Sequence, residues 1–149
     1  MNAPWHRKRE VVSLVDIYTR PRKDRLAFLY ALLKERTPEQ SISHKKMPTL
    51  KEHEAFVEGM PYRAWYEINA NGTPVGSIYI TWNGDLGISI LTKHQRKGYG
   101  KRAIESLMEL HPGPFYANVN PANEASRKLW ESLGGKLIQV TYAIPRNRS

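Results

Sequence analysis

The chain has 149 residues, no cysteine, and 23 Lys plus Arg against 14 Asp plus Glu, a formal net charge of +9. That length fits one domain with a single core, read here as spanning 1–149, and the missing cysteine excludes disulfide scaffolds, thiolate metal sites and cysteine nucleophiles. The longest apolar run, 27–33, falls far short of the roughly 20 residues a bilayer span takes, and Arg7-Lys8-Arg9 before a stretch broken at Asp16 makes a poor secretory signal, so a cytoplasmic protein is expected.

Val11 to Tyr18 is rich in β-branched residues and predicts a strand, ended by Arg20-Pro21. Leu26, Leu29, Leu32 and Leu33 then recur at helical spacing, predicting a helix over about Arg22 to Arg36. A second helix starts at Thr49, whose hydroxyl composes a capping box with Glu52, and closes at Pro61. From Tyr62 the apolar period changes to two. Tyr62 to Asn69, Val75 to Trp82 and Leu86 to Thr92 are joined by Asn71-Gly72 and Asn83-Gly84, the strongest short-range hairpin signal, and predict an antiparallel meander. Ile104, Leu107, Met108 and Leu110 mark a helix ending at His111-Pro112, and Phe115 to Val119 reads as a short buried strand. Asn120-Pro121 supplies an N-cap and a first-turn proline for a helix through Ala125, Leu129 and Leu133 to Gly134-Gly135. A last strand is expected over about Lys136 to Ile144. The order βααβββαβαβ defines an α/β chain, mostly antiparallel, with one βαβ crossover and no internal repeat.

The charge is unevenly placed. Residues 1–25 carry seven basic and three acidic side chains, 26–74 six of each, and 75–149 ten and five. The N-terminal cluster, Arg7, Lys8, Arg9, Arg20, Arg22, Lys23 and Arg25, reads as a solvated surface. The acid-free run Lys93 to Arg102 differs because glycines interrupt it. Gln95-Arg96-Lys97-Gly98-Tyr99-Gly100-Lys101 lies between a strand and a helix, where free N–H groups and the helix dipole favour an anion, so it reads as a phosphate cradle. A Walker loop fails, because Lys101 is followed by Arg102 and no glycine stands five residues before Gly100. Gly98 to Ala103 matches GxGxxA, yet the preceding strands are joined by tight hairpins that a parallel dinucleotide fold does not use.

QxxGxG after the third meander strand, then a helix, a short strand and a helix carrying Asn123, resembles the GCN5-related N-acetyltransferase (GNAT) superfamily. The resemblance implies a mixed, mostly antiparallel twisted sheet of about six strands, flanked by four helices, with one splayed strand pair. It also implies acetyl-coenzyme A as donor. Its pyrophosphate would lie on Gln95, Arg96, Lys97, Gly98, Tyr99, Gly100 and Lys101, and its pantetheine arm along Ile88, Ser89 and Ile90. Asn123 matches the family asparagine that bonds that arm. Ser126 lies one turn later on the same face.

Acyl transfer to an amine needs an unprotonated amine, an oxyanion site and often a proton for the departing thiolate. Backbone N–H groups around Ser89 and Ile90 are the expected oxyanion donors. The tyrosine acid of many relatives falls at Trp130, and the glutamate base of others at Asn118, and neither residue does that chemistry. Asp85 is a base candidate, with a turn residue as the plainer reading; Tyr116 and Tyr142 are acid candidates, with strand packing as theirs. His94 fits a phosphate neighbour better than a base. His53-Glu54 lacks the second histidine of a zinc motif, so no metal is expected. Direct transfer with water carrying off the amine proton is the mechanism this set implies.

In the superfamily the acceptor binds over the first two helices and the last strand, which here means His44, Lys45, Trp65 and Tyr142, with Lys46, His53 and Arg63 nearby. Basic side chains suit a small anionic acceptor such as an amino-sugar nucleotide or an amino acid. Tyr62, Trp65, Tyr66, Tyr79 and Trp82 alternate along paired strands, some to stack on a ligand and the rest to fill the core. The basic termini support a second reading, an amine on a nucleic acid, and Trp130 with Asn118 a third, a module binding CoA or nucleic acid without turnover. No membrane partner is expected, and a monomer or homodimer is.

Overall fold

The computed structural model describes residues 10–36 and 46–146. Strand β1 (Val12–Asp16) leads through a single 3₁₀ turn into helices α1 (Arg22–Lys34) and α2 (Leu50–Glu58). Strands β2 (Ala64–Ala70), β3 (Thr73–Ile80) and β4 (Asp85–Ile90) follow, then α3 (Tyr99–Leu110), β5 (Tyr116–Ala117) and α4 (Glu124–Ser132). The sheet order is β1-β2-β3-β4-β5; only the β4–β5 pair is parallel.

Local chemistry explains most boundaries. Thr49 and Glu52 make the expected capping box at α2. Asn71 and Gly72 both take positive φ, 50° and 86°, the two-residue turn that matches strand twist. The second turn is longer than expected: Gly84 N–H donates to Thr81 C=O, and only Gly84 is left-handed. At α4 the cap moves. Asn120 Oδ1 accepts from Ala122 N–H in a local turn, and Asn123 Oδ1 caps the helix by accepting from Ser126 N–H at 3.0 Å.

Period two divides the meander between two cores. Ile68, Ile78, Ile80 and Leu86 pack against Ile104 and Leu107 of α3, while Trp65 lies with Ile17, Leu29, Leu32 and Val57 beneath α1 and α2. Each such side chain contributes about 1.5–3 kcal/mol on burial. Arg7, Lys8 and Arg9 lie outside the described residues, and three other arginines of the N-terminal cluster are not simply solvated: Arg20 pairs with Glu67 at 2.5 Å, Arg22 with Glu54, and Arg25 with Glu58 at 2.8 Å. They tie α1 and the turn before it to α2 and the sheet. Arg25 holds the Glu58 carboxyl below the usual range, mainly by hydrogen bonding.

The sheet has five strands where six were expected. Residues 136–146 form neither strand nor helix and are exposed throughout. Alternation encodes a face for a strand but no partner.

Candidate active site

Strands β4 and β5 pair only at Asp85↔Tyr116 and Leu86↔Ala117. Beyond that point they separate, and among the described residues the outward main-chain groups of β4 no longer meet β5; of these, Ile90 C=O accepts from Gln95 Nε2. The ladder says which groups those are. Thr81 N–H donates to Asp85 C=O and Leu91 N–H to Val75 C=O, so by antiparallel alternation Asp85, Gly87, Ser89 and Leu91 spend their main chain on β3. Leu86, Ile88 and Ile90 turn theirs toward β5. The expected oxyanion donor at Ser89 is therefore corrected: its N–H belongs to the Ser77 pairing, and Ile88 and Ile90 are the residues facing the gap.

The glycine loop ends at the start of α3. Gly98, at φ 79°, occupies the N-cap and offers no side-chain cap. The first turn of the helix closes with Arg102 N–H donating to Gly98 C=O, which leaves the N–H groups of Tyr99, Gly100 and Lys101 unspent among the described residues. Arg96, Lys97 and Lys101 are exposed around them. An uncapped helix start ringed by cations fits a pyrophosphate. Two residues of the loop do something else with their side chains. Gln95 Nε2 donates to Ile90 C=O at 3.1 Å, fixing the loop on the splayed strand, and Tyr99 is buried in the core with its hydroxyl on Glu10. Arg102 also turns away, to the Glu10 carbonyl. At the head of α4, Asn123 uses its oxygen for the cap and keeps its amide NH₂ to donate; Ser126 is half-buried beside it.

Asp85 and Tyr116 stand in register, so their side chains emerge on one face where the strands part. Tyr116 is 42% exposed and Asp85 half-buried. Trp130 packs on the α3 core and Asn118 is exposed. On the same face as Asp85 lies an aromatic cluster: Tyr62 stacks on Tyr79 at 3.7 Å and 3°, and Trp65 meets Tyr62 edge-on at 4.7 Å. Burial, then the neighbouring Tyr79, raises the Tyr62 hydroxyl far above its ordinary range. The Trp65 indole N–H is buried with no partner among the described residues.

Other expected acceptor residues are dispersed. His44 and Lys45 lie outside the described residues. His53 is buried, its Nε2 3.1 Å from Leu26 C=O and its ring on Tyr30, so it is a core histidine and not a ligand contact. Tyr66 faces the opposite side and bonds His111 at 2.7 Å. Trp82 is 75% exposed in its turn. Tyr142 lies in the C-terminal segment that joins no strand, with its side chain in solvent. Sequence reasoning missed Glu67, a buried carboxylate on β2 held by Arg20 and by Asn69 Nδ2 at 2.9 Å. Period two from Trp65 was the signal that pointed to it.

Among the described residues no cluster of His, Asp or Glu could hold a metal ion, and no helix is long and apolar enough to cross a membrane.

These features, a splayed parallel pair beside an uncapped glycine loop, define an acetyl-CoA-dependent acyltransferase fold. The model of the acetyltransferase (GNAT) family matches residues 26–135, and the chain belongs to that family. An acetyltransferase from Thermus thermophilus is similar in structure, with TM-score 0.68 at 18% identity over 86% of this chain and 88% of that one. The yncA protein of Salmonella typhimurium, solved with its cofactor acetyl-CoA, gives 0.61 at 16% over 85% and 79%. An aminoglycoside N-acetyltransferase in complex with CoA gives 0.65 at 17% over 98% and 100%. At these identities the likeness is one of fold. No curated protein matches the chain in sequence. The protein is thus a GNAT acetyltransferase, a class whose donor is acetyl-CoA.

Proposed function

We propose that the protein transfers an acetyl group from acetyl-CoA to a primary amine of a small anionic acceptor, an amino-sugar nucleotide or an amino acid-like molecule. The observation that carries this is the parting of β4 and β5 after Leu86 and Ala117, which leaves Ile88 and Ile90 facing a gap beside the α3 N-terminus. Arg96, Lys97, Lys101 and the free amides of α3 would hold the pyrophosphate. Ile88 and Ile90 would pair the pantetheine arm, with the amide of Asn123 donating to it. An N–H of Ile88 or Ile90 then stabilises the charge that develops on the acetyl oxygen during attack.

The acceptor approaches from the side of the sheet on which Asp85, Tyr79 and Trp65 lie, with Trp65 itself buried beneath α1 and α2. Half-buried Asp85 and exposed Tyr116 flank the point of attack, and water carries the amine proton away without a dedicated side-chain base. The nucleic-acid reading loses support because Arg20, Arg22 and Arg25 are engaged by Glu67, Glu54 and Glu58. Thiol release from acetyl-CoA against a panel of amines tests the activity; tight CoA binding with no turnover on any amine would favour a binding module. Asp85→Asn and Tyr116→Phe are each expected to lower turnover by less than about tenfold. A loss of about a thousandfold in either would overturn the water relay, since a good acid or base contributes 10²–10⁴.

A further inference from the structure

Tyr79 departs from the geometry of an ordinary strand tyrosine. In the cross-strand row it stands between Trp65 of β2 and Gly87 of β4. Strand side chains usually rise roughly perpendicular to the sheet, but the Tyr79 ring lies over its neighbour. A Cβ on Gly87 would stand 2.0 Å from Tyr79 Cζ and 2.3 Å from its hydroxyl oxygen. The ring is therefore laid across β4 with its phenol end nearest Gly87.

The composition of the row explains the lean. Trp65, buried beneath α1 and α2, fills the β2 side and meets Tyr79 edge-on at 6.3 Å. Tyr62 backs the ring, stacked on it at 3.7 Å and 3°. The glycine of β4 supplies the remaining space, so large side chains on β2 and β3 are answered by none on β4.

Gly87 also has a particular place in the sheet. The last β4–β5 pair is Leu86↔Ala117, so Gly87 is the first β4 residue past the fork. Asp85 and Ser89, two residues to either side, emerge on the same face. The Tyr79 hydroxyl thus reaches from β3 to the point where β4 and β5 part, on the side from which the acceptor approaches. Tyr79 is half-buried, so its ring is held while the residue still meets solvent. Asp85 and Tyr116, by contrast, pair one step before the fork opens.

We infer that the Tyr79 hydroxyl oxygen receives a hydrogen bond from the attacking amine and turns its lone pair toward the thioester carbonyl, with Gly87 as the positioning residue that lets the ring reach. This role rests on the acetyl-transfer reading above and names the side chain that meets the acceptor. A neutral phenol oxygen accepts an amine N–H without taking the proton, which still leaves through water. A side chain at position 87 would push the hydroxyl off the fork, and a misplacement of about 1 Å can cost about 10²-fold in rate.

Tyr79→Phe keeps the ring and its stack and removes the hydroxyl alone. With an amine that the unsubstituted chain acetylates, it should lower kcat/KM for the amine by about ten- to a hundredfold. CoA affinity by calorimetric titration and the melting temperature should stay unchanged. Gly87→Ala keeps the hydroxyl but displaces it, and assayed below its own melting temperature it should lose a similar factor. Added to Tyr79→Phe it should cost little further turnover, because the group it acts through is already gone. Tyr79→Phe decides by itself if Gly87→Ala does not fold. Turnover by Tyr79→Phe within about twofold of the unsubstituted chain, less than one hydrogen bond contributes, would overturn the role. So would a loss matched by an equal loss of CoA affinity, which would put the hydroxyl on the coenzyme. An unsubstituted chain that releases no thiol with any amine overturns the acetyl-transfer reading itself, and this role with it.

Discussion

Gly87 lies opposite Tyr79 in the β3–β4 register, and a Cβ built on it would stand 2.0 Å from Tyr79 Cζ and 2.3 Å from its hydroxyl oxygen. Carbon atoms in ordinary contact are about 3.5–4.0 Å apart, so Gly87→Ala obliges the ring to retreat. The ring has little room, because Tyr62 is stacked on it at 3.7 Å and Trp65 stands edge-on at 6.3 Å. Overpacking costs about 1–3 kcal/mol, and breaking the stack forfeits about 0.5–1.5 kcal/mol more. The expected loss is therefore about 1.5–4.5 kcal/mol, against the gain of about 0.5–1 kcal/mol that replacing a strand-interior glycine gives where space allows. Urea unfolding followed by tyrosine and tryptophan fluorescence reads it as a lower midpoint at constant slope. The background supplies the control: in Tyr79→Ala the methyl group enters vacated space, and Gly87→Ala should become neutral or stabilising there. Equal cost in both backgrounds, or a change within about 0.5 kcal/mol in the unsubstituted chain, the usual range for an unconstrained site, would refute the reasoning.

Asn123 caps α4, and the coenzyme contact proposed for its amide can be separated from that cap by substitution. Asn123→Ala loses the α4 cap, with a stability loss of about 1 kcal/mol, whereas Asn123→Ser keeps an oxygen for Ser126 N–H and loses only the amide donor. Both are expected to weaken CoA about five- to tenfold by calorimetric titration, the value of one hydrogen bond; unchanged binding by Asn123→Ser would show that the amide does not reach the coenzyme. Burial disfavours the charged form of His53 and holds its pKa below the ordinary 6.5. The unfolded chain therefore takes up its proton first as pH falls, so this contribution is complete above about pH 6.5 and is lost below it. His111, lowered by burial and by Arg63, acts with the same sign. Melting temperature should fall between pH 7 and 5, and His53→Gln should flatten that slope; parallel profiles for the two proteins would contradict it.

The residues that carry chemistry were unequally legible. The glycine loop at the start of α3 could be read directly because a glycine turn before a helix is defined by its own backbone, and the capping box at Thr49 likewise closes over four residues. Asn123 was read as a coenzyme residue, but its role as the α4 cap was assigned to Asn120, since both have the residue type that caps. Ser89 was placed among the oxyanion donors because composition does not reveal ladder parity, which depends on which residue of β3 lies opposite. The N-terminal arginines looked solvated for a similar reason. Their partners Glu54, Glu58 and Glu67 stand 32, 33 and 47 residues further along the chain and meet them only after α1 and α2 dock on the sheet.

By itself, then, the sequence determined the order and type of the five strands and four α-helices of the described residues, the glycine loop before α3 and the family, because periodicity, caps and turns act within a few residues. Tertiary structure alone decided which main-chain groups of β4 face the gap, that Asp85 and Tyr116 meet in register, that Glu67 is buried against Arg20, and that the last alternating segment has no place in its own sheet. Those are matters of pairing between distant segments, and an alternating pattern specifies which side chains seek cover without specifying what covers them.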